Sequence, residues 1–482
     1  MIGTAKLLGA VAAVALMGLS ATPARAQDAT DELLLRLKEK GILTDDEYNA
    51  LVARKQAQPA PQAAVPNQTA GATTVPGDNS AEGPQQAAAE RLDDKKLVRM
   101  MDAGVGFQIG DVGVKFSGSV NGYYVHDNGD EALPRNAVAG GLASVGDNSS
   151  SIRNGLLPGF LKVDVTTNQG GWDVGAHFGL YPGINSGVGN SGANGPGLPQ
   201  ALQTSGIDAR QTYLTFGKPN FGEVKIGRDI GLFASDAILN DITLLAVGTA
   251  AGNAAPSNTS LGRIGLGYIY TDFQPQITYS SPKFGGLQFA VGVFQPLTTI
   301  GRNEVNGSPG FQGKVTYDLV PTDGGLGAHA WVSGLVQKHD GIDGLPSYTG
   351  RAIDFGAKLS YANFGLTGYY YTGTGVGTIG LFLLSTDAAG RKRDSDGFYV
   401  QGTAGFGKFT LGASYGRSTL DRTDNEPVSE LVKSNSSYVG QARYGLTSWV
   451  TLIGEYTYTR SRAHNGNDAN SDALAAGAIL FF

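Results

Sequence analysis

Most of the chain, from about Val105 to its end, repeats one pattern: short runs of alternating apolar and polar residues, separated by clusters of Gly, Asn, Asp, Ser and Pro. A period of two predicts extended strands, because successive side chains of a strand point to opposite faces. Seventeen such runs precede the C-terminus, or sixteen if 262–281 is one interrupted strand. The repetition predicts an all-β chain.

The composition of the two faces separates a membrane barrel from a soluble β-sandwich. One face of the runs carries Ser, Thr, Asn, Gln, Lys and Asp, while the other carries aliphatic residues and aromatic residues near the run ends. Tyr369–Tyr371, Tyr456 and Tyr458 suit the aromatic girdles of a barrel that crosses a membrane. We therefore expect a 16-stranded antiparallel transmembrane β-barrel, wide enough to enclose an aqueous channel.

The C-terminal stretch SDALAAGAILFF (471–482) fits the closing strand of this barrel. Counting back from Phe482, an apolar row continues through Leu480 and Ala478 to Leu474. We expect this row to face lipid and both strand edges to be paired, because a sheet inside a membrane tolerates no open edge.

Four segments are predicted along the chain. Residues 1–26 form a secretory signal peptide, with a basic residue, an apolar run and a small-x-small cleavage site before Gln27. Residues 27–56 form a short helical, coiled-coil segment. Residues 57–104 form a linker rich in Pro, Ala and Gly, and 105–482 form the barrel.

The helical segment has clear start and stop signals. Thr30 and Asp31 cap a helix that ends at Gly41, and Thr44 with Glu47 forms a second capping box. The apolar stripe is too narrow for an independent domain, so we expect self-association, with three copies in the coiled coil. A tether to peptidoglycan is the alternative role for this segment.

Composition and motifs argue against an enzyme. The chain has no Cys, which removes disulfides and thiolate chemistry. Its five His residues lack metal-ligand spacing, and no nucleophile elbow accompanies a His and an acid. The 36 basic residues include Lys6 and Arg25, so the mature chain carries 34 basic and 42 acidic residues, which disfavours a nucleic-acid partner. We expect no catalytic residue, cofactor or metal.

A long loop over 229–258 is the best candidate for a functional element, because loops of this length are often functional. If it folds inward, its acidic residues face basic wall residues across a narrowed lumen, and such a field selects solutes by charge. The expected constriction residues are Asp229, Asp236 and Asp241 on the acidic side and Arg210, Lys225 and Arg228 on the basic side, with Lys115 and Lys162 as weaker wall candidates. Strand parity places Lys225 and Arg228 on opposite faces unless the strand is bulged.

Short motifs resemble general diffusion porins of Gram-negative bacteria. FGEVKIGRDIGLF, with Gly227, Arg228, Asp229 and Gly231, is similar to the strand that opens the constriction loop of those porins. YSSPKFGGLQF (279–289) resembles a periplasmic turn, and the terminal Phe482 resembles an assembly signal. LKEKGILTDDEYNAL is similar to the prefix of phosphate-selective porin O/P and dicarboxylate-type channels.

The resemblance implies homotrimers and passive diffusion of small hydrophilic solutes and ions through the outer membrane, in contact with its lipids. A substrate-selective channel for phosphate, dicarboxylates or sugars is one alternative, and an envelope tether is another. The dense arginine ladder of the phosphate-selective members is not evident in this sequence.

Overall fold

The computed structural model describes residues 98–101, 104–146, 148–184, 206–252, 259–321 and 325–482. The predicted signal peptide, the helical segment 27–56 and most of the linker lie outside the described residues. The helical elements are α1 (Ser235–Asn240) and two 3-10 turns, Pro134–Asn136 and Ile242–Leu245. The strands are β1 Val98–Met100, β2 Val105–Ile109, β3 Val112–Gly129, β4 Ser149–Arg153, β5 Phe160–Gln169, β6 Trp172–Pro182, β7 Ile207–Lys218, β8 Gly222–Ile230, β9 Thr249–Gly252, β10 Ser260–Gly262, β11 Phe273–Ser280, β12 Leu287–Phe294, β13 Glu304–Val305, β14 Gly310–Leu319, β15 Gly327–Gly341, β16 Tyr348–Tyr361, β17 Phe364–Thr374, β18 Asp394–Phe406, β19 Phe409–Leu420, β20 Val432–Gly445, β21 Val450–Ala463 and β22 Asp468–Phe481.

Sixteen of these strands form a closed antiparallel barrel, as the sequence predicts. They are β3, β5 to β8, β11, β12 and β14 to β22, and each pairs with the next. The last strand, β22, pairs with β3 from Phe481 opposite Ser119 to Ser471 opposite Gly129. Phe482 completes the seam, because its backbone N–H donates to the Gly118 carbonyl at 3.0 Å and its carbonyl accepts from the Gly118 N–H at 3.1 Å.

A small hairpin extends the barrel wall next to this seam. β1 pairs with β2, and β2 pairs with the first half of β3, on the edge that β22 covers further along. β1 lies inside the predicted linker, so the sheet begins before Val105. Among the described residues, no helix has the length and apolar character needed to cross a membrane.

The two rims differ in the length of their connections. One rim has tight turns; between β5 and β6, Gly170 and Gly171 both adopt positive φ, which a two-residue hairpin of this type requires. The other rim carries long connections, among them 130–159, 231–272 and 375–393, which we name L1, L3 and L6. Outer-membrane barrels have short periplasmic turns and longer extracellular loops, so the tight rim is the periplasmic one.

Alternation sorts the side chains between lumen and lipid. On β11, Gln274, Gln276 and Thr278 face inward and are buried, whereas Ile277 points outward and is half exposed. The apolar row of β22 from Leu474 to Leu480 lies on the outward face, as expected. Aromatic side chains ring the outer surface at the periplasmic rim: Phe221, Phe284, Tyr317, Tyr361, Phe364, Phe406 and Trp449.

The structure corrects two details of the sequence analysis. Tyr369 and Tyr371 do not belong to a girdle; they face inward and are buried, since three consecutive strand residues cannot share one face. The run 262–281 is not one interrupted strand, because β11 begins only at Phe273. Residues 263–272 belong to L3, where Tyr268 and Ile269 are completely buried inside the barrel. The apolar residues at alternate positions of this stretch pack against the inside of the barrel and do not contact lipid.

Candidate pore constriction

L3 leaves the wall at the end of β8 and folds into the lumen. The backbone N–H of Phe233 donates to Gln312 Oε1 on β14 at 3.0 Å, and that of Ala234 donates to Asp354 Oδ2 on β16 at 2.8 Å. Ala234 has φ of 60°, a left-handed conformation that costs a non-glycine residue about 1–2 kcal/mol. The buried Asp354 carboxylate thus holds a strained turn against the opposite wall.

The middle of L3 lies against β18. Tyr399 Oη donates to the Ala237 carbonyl at 2.9 Å, at the start of α1. Gln401 contacts both sides of the next turn: its Nε2 donates to the Asn240 carbonyl at 2.6 Å, and its Oε1 accepts from the Ile242 N–H at 3.0 Å. These buried side chains satisfy backbone groups that otherwise lack partners at the helix end.

The far end of L3 is held by β20 and β21. Glu455 Oε1 accepts from the backbone N–H groups of Val247 at 3.0 Å and Gly248 at 2.6 Å. Gln441 Nε2 donates to the Ile242 carbonyl at 3.1 Å and to Glu455 Oε2 at 2.6 Å. L3 therefore contacts the wall from β14 round to β21, and this geometry agrees with the expectation that the loop folds inward.

An apolar cluster fills the space between L3 and this part of the wall. Phe233 and Ile238 from the first half of L3 pack with Tyr268 from its second half and with the wall residues Trp331 and Tyr399. Burying such side chains contributes about 1.5–3 kcal/mol each. The remaining passage lies along β5 to β8, whose inward side chains include Lys162, His177, Tyr213 and Lys225.

Each predicted acidic residue has close partners. Asp229 Oδ2 lies 2.5 Å from Lys225 Nζ, and its Oδ1 accepts from Gln211 Nε2 at 2.7 Å. Asp236 pairs with Lys314 Nζ at 2.8 Å and with His329 Nε2 at 3.2 Å. The third, Asp241, is buried.

Asp241 caps the 3-10 turn of L3. Its Oδ1 accepts from the Thr243 N–H at 3.0 Å, and its Oδ2 accepts from Tyr268 Oη at 3.0 Å. Its side chain is 0% exposed, so it lies behind the surface of the passage. The packing of L3 determines its position.

The predicted basic residues do not face the acids across the lumen. Lys225 shares a strand face with Asp229, because residues four apart on a strand point the same way. Arg228 lies on the outward face, in register with Thr212 and Pro275, as parity indicated. Arg210 pairs with Asp208 at 2.6 Å. Ion pairs within the wall replace the expected separation of acids from bases.

Further lumen residues were missing from the sequence analysis. Lys115 and Lys162 lie on inward-facing positions of β3 and β5, as expected. Lys314, Lys358 and Arg443 also point inward, on β14, β16 and β20. Alternation was the available signal, since Lys314 falls in one polar row with Gln312 and Thr316 in GFQGKVTYDL.

Charged neighbours lower the pKa of Asp236, the one acidic residue of α1. Burial raises the pKa of Asp236, but the Lys314 ammonium and the His329 ring outweigh it and hold this pKa below its usual range. The Asp236 carboxylate is therefore ionised at neutral pH and pairs with the Lys314 ammonium.

Two histidines in the described residues form ion pairs with acidic residues of the barrel, and the described histidines form no metal site. His177 Nδ1 lies 2.6 Å from Asp164, and its ring stacks on Tyr213 with centroids 4.6 Å apart. His339 pairs with Glu304 at 2.8 Å. Over the described ranges, no group of three or more His, Asp or Glu side chains is arranged to hold a metal ion.

Comparison with known proteins gives one family and a set of similar folds. The model of the Gram-negative porin family matches residues 69–464. The outer membrane channel DcaP of Acinetobacter baumannii is 14% identical, with a TM-score of 0.57, and the match covers 79% of this chain and 100% of that one. The anion-selective porin from Comamonas acidovorans is 17% identical, with a TM-score of 0.53, and the match covers 77% of this chain and 100% of that one. At these identities the likeness shows the fold. No curated protein sequence gives a significant match.

A closed 16-stranded barrel with a polar lumen, narrowed by an inward loop, is built to let water and small solutes cross a membrane. The Gram-negative porin model matches most of the chain. The protein belongs to the Gram-negative porin family and is an outer-membrane channel for passive diffusion.

Proposed function

We propose that the protein is a homotrimeric general diffusion porin, in which L3 and the adjoining wall set the size limit for small hydrophilic solutes and ions. The observation that carries this is the path of L3: it is fixed to β14, β16, β18 and β21 by buried hydrogen bonds, which makes it a permanent narrowing. A rigid narrowing beside an open strip of wall sorts solutes by size without a closing step.

The constriction consists of the two ion pairs Lys225–Asp229 and Asp236–Lys314, together with Lys162 and the L3 backbone between them. Arg210 contributes indirectly: its guanidinium lies over the Tyr181 ring at 4.7 Å and keeps the top of β7 packed. Asp241 keeps L3 folded, and Arg228 lies outside the passage.

The proposed trimer is supported by the outer surface of the seam. There the small outward residues Gly118, Gly122, Ala476 and Ala478 lie between the larger outward residues Val120, Tyr124, Leu474 and Leu480. Small residues allow two sheets to approach closely. β1 begins at the periplasmic rim, which suits a preceding segment that forms either a trimeric coiled coil or a tether to peptidoglycan.

Planar-bilayer recordings of the purified full chain test this function. We expect conductance steps in groups of three that rise linearly with salt concentration. Conductance that saturates, or that one added solute blocks, would indicate a substrate-selective channel instead. Loss of envelope integrity with unchanged permeability after deletion of 27–90 would favour the tether.

A further inference from the structure

Lys162 is a cation in the narrow part of the lumen without an ion-pair partner among the described residues, although the Asp229 and Asp164 carboxylates act on it as opposite charges. Its position on β5 is opposite Gly179 of β6. Its Nζ lies 5.8 Å from the centre of the Phe160 ring, and no carboxylate of the described residues lies within 4 Å. Neither 185–205 nor 253–258 contains Asp or Glu.

Lys358 is a second such cation, on β16. It faces inward between His329 and Thr367, is exposed, and has no ion-pair partner in the described part of the chain. The only charged group that acts on it appreciably is the Arg443 guanidinium, also positive. Lys358 follows Asp354 by four residues, which places it about 13 Å below the L3 anchor, toward the periplasm.

The two lysines lie on opposite walls. In the order of the barrel, β5 is the second of the sixteen strands and β16 is the tenth, so half the circumference separates them. Lys162 is level with Gln211 and Asp229, where L3 begins. A solute that passes L3 therefore meets a positive charge beside the loop and another just below it.

The carboxylates near Lys162 and L3 either form ion pairs with basic residues or lie buried, away from the open passage. Asp229 and Asp236 are each paired with a lysine. Asp354 and Glu455 are buried and accept backbone N–H groups of L3, and Arg443 acts on Glu455 as an opposite charge. Asp164, two residues from Lys162 on the same strand face, pairs with His177. Asp173 and Glu223 lie toward the periplasmic mouth, and Glu223 is six residues, about 20 Å, from Asp229 along β8.

We infer that the channel prefers small anions, and that Lys162 and Lys358 form the two-point cationic site responsible. This inference rests on the proposed function, because it requires an open aqueous passage. The acidic balance of the whole chain does not oppose it, since the charges nearest the narrowest section weigh most in ion selection. We expect the effect of each ammonium on a passing ion to be modest, about two- to four-fold.

Reversal potentials in a potassium chloride gradient test the inference. The full-length protein and the variants Lys162→Gln, Lys358→Gln and the double variant are compared in planar bilayers. Lys408→Gln is the matched control, because Lys408 lies exposed in the β18–β19 turn, outside the lumen. Lys162→Arg keeps the charge and checks that a change of shape is not the cause.

We expect a chloride-to-potassium permeability ratio above one. Each lumen variant should lower this ratio about two- to four-fold, and the double variant should abolish or reverse the preference, while Lys408→Gln and Lys162→Arg retain it. A ratio below one in the unaltered protein, or one insensitive to both lysines, would overturn the inference and leave the diffusion function intact. No ion conductance at all in the unaltered protein would overturn both.

Discussion

Asp354 of β16 accepts a hydrogen bond from the backbone N–H of Ala234 at 2.8 Å, and this bond joins the start of L3 to a strand on the far side of the barrel. Ser333 Oγ donates to the other oxygen of the same carboxylate at 2.6 Å. The pore size thus depends on a contact between an inward wall residue and a loop that precedes it by 120 residues.

Replacing Asp354 with Ala should loosen L3. The Ala234 N–H then keeps only the long contact to Ser333 Oγ at 3.3 Å while its left-handed backbone remains strained, and a poorly paired buried N–H costs up to about 1–3 kcal/mol. We expect larger or noisier single-channel conductance with an intact barrel, seen in bilayer recordings. Asp343→Ala, on an extracellular turn, is the control; equal noise in both variants would refute the anchoring role.

Gly248 should be intolerant of a side chain. It adopts φ of +63°, and a Cβ there would lie 2.5 Å from the Gly262 backbone. Gly344 also has a positive φ, of +82°, but a Cβ there meets nothing within 4 Å. Both Ala variants carry the cost of a positive φ, so Gly248→Ala should lower the unfolding temperature more, as thermal denaturation in detergent can show. Equal shifts would mean that L3 relaxes around the clash.

The Lys225–Asp229 pair predicts opposite effects of its two neutral variants. Asp229→Asn frees the Lys225 ammonium and should raise the chloride-to-potassium permeability ratio, whereas Lys225→Gln frees the carboxylate and should lower it. The double variant should return close to the original ratio, because the pair is neutral. Measured reversal potentials that move in the same direction for both single variants would contradict the pairing.

The pair of Asp236 with Lys314 should make L3 resistant to acid. Because the folded-state pKa of Asp236 lies below its unfolded value of about 3.9, the contribution of the pair to stability is present above that value and is lost only as the pH falls through the lower folded-state pKa. In Lys314→Gln the ammonium that lowers the pKa of Asp236 is lost, so this pKa rises. We expect that variant to change its conductance between pH 7 and pH 4 more than the unaltered protein does. Identical pH profiles would show that Lys314 does not hold this carboxylate ionised.

The two-residue period of the strands predicted most of the fold. It placed the β22 row toward lipid, Lys115 and Lys162 toward the lumen, and Arg228 away from Lys225, all from parity along a strand. The same parity rule also predicts that Lys225 and Asp229 point to the same face, because residues four apart on a strand share a face. The assignment of acids and bases to opposite walls overlooked that consequence.

The path of L3 could not be predicted from local sequence patterns, because contacts with residues far away in the chain fix it. Glu455 binds Val247 across 208 residues, and nothing in EYTYTR marks that glutamate as a loop anchor. Residues 263–269 alternate like a strand, yet they pack inside the barrel because L3 and L6 offer an apolar surface there: Tyr270 N–H donates to the Ile379 carbonyl at 2.7 Å. Tertiary packing decided these positions.

The anchors of L3 also bear on assembly. Tyr123 of β3 precedes L3 and donates to the Leu245 carbonyl, but the anchors on β14 to β21 all follow L3. The last of them, Glu455, lies on the penultimate strand of the barrel. Contacts so distant in sequence form late, because the chain between them must first be ordered. While the barrel forms, L3 is therefore not fully anchored until the last strands have paired. The pore reaches its narrowed state only when folding is complete.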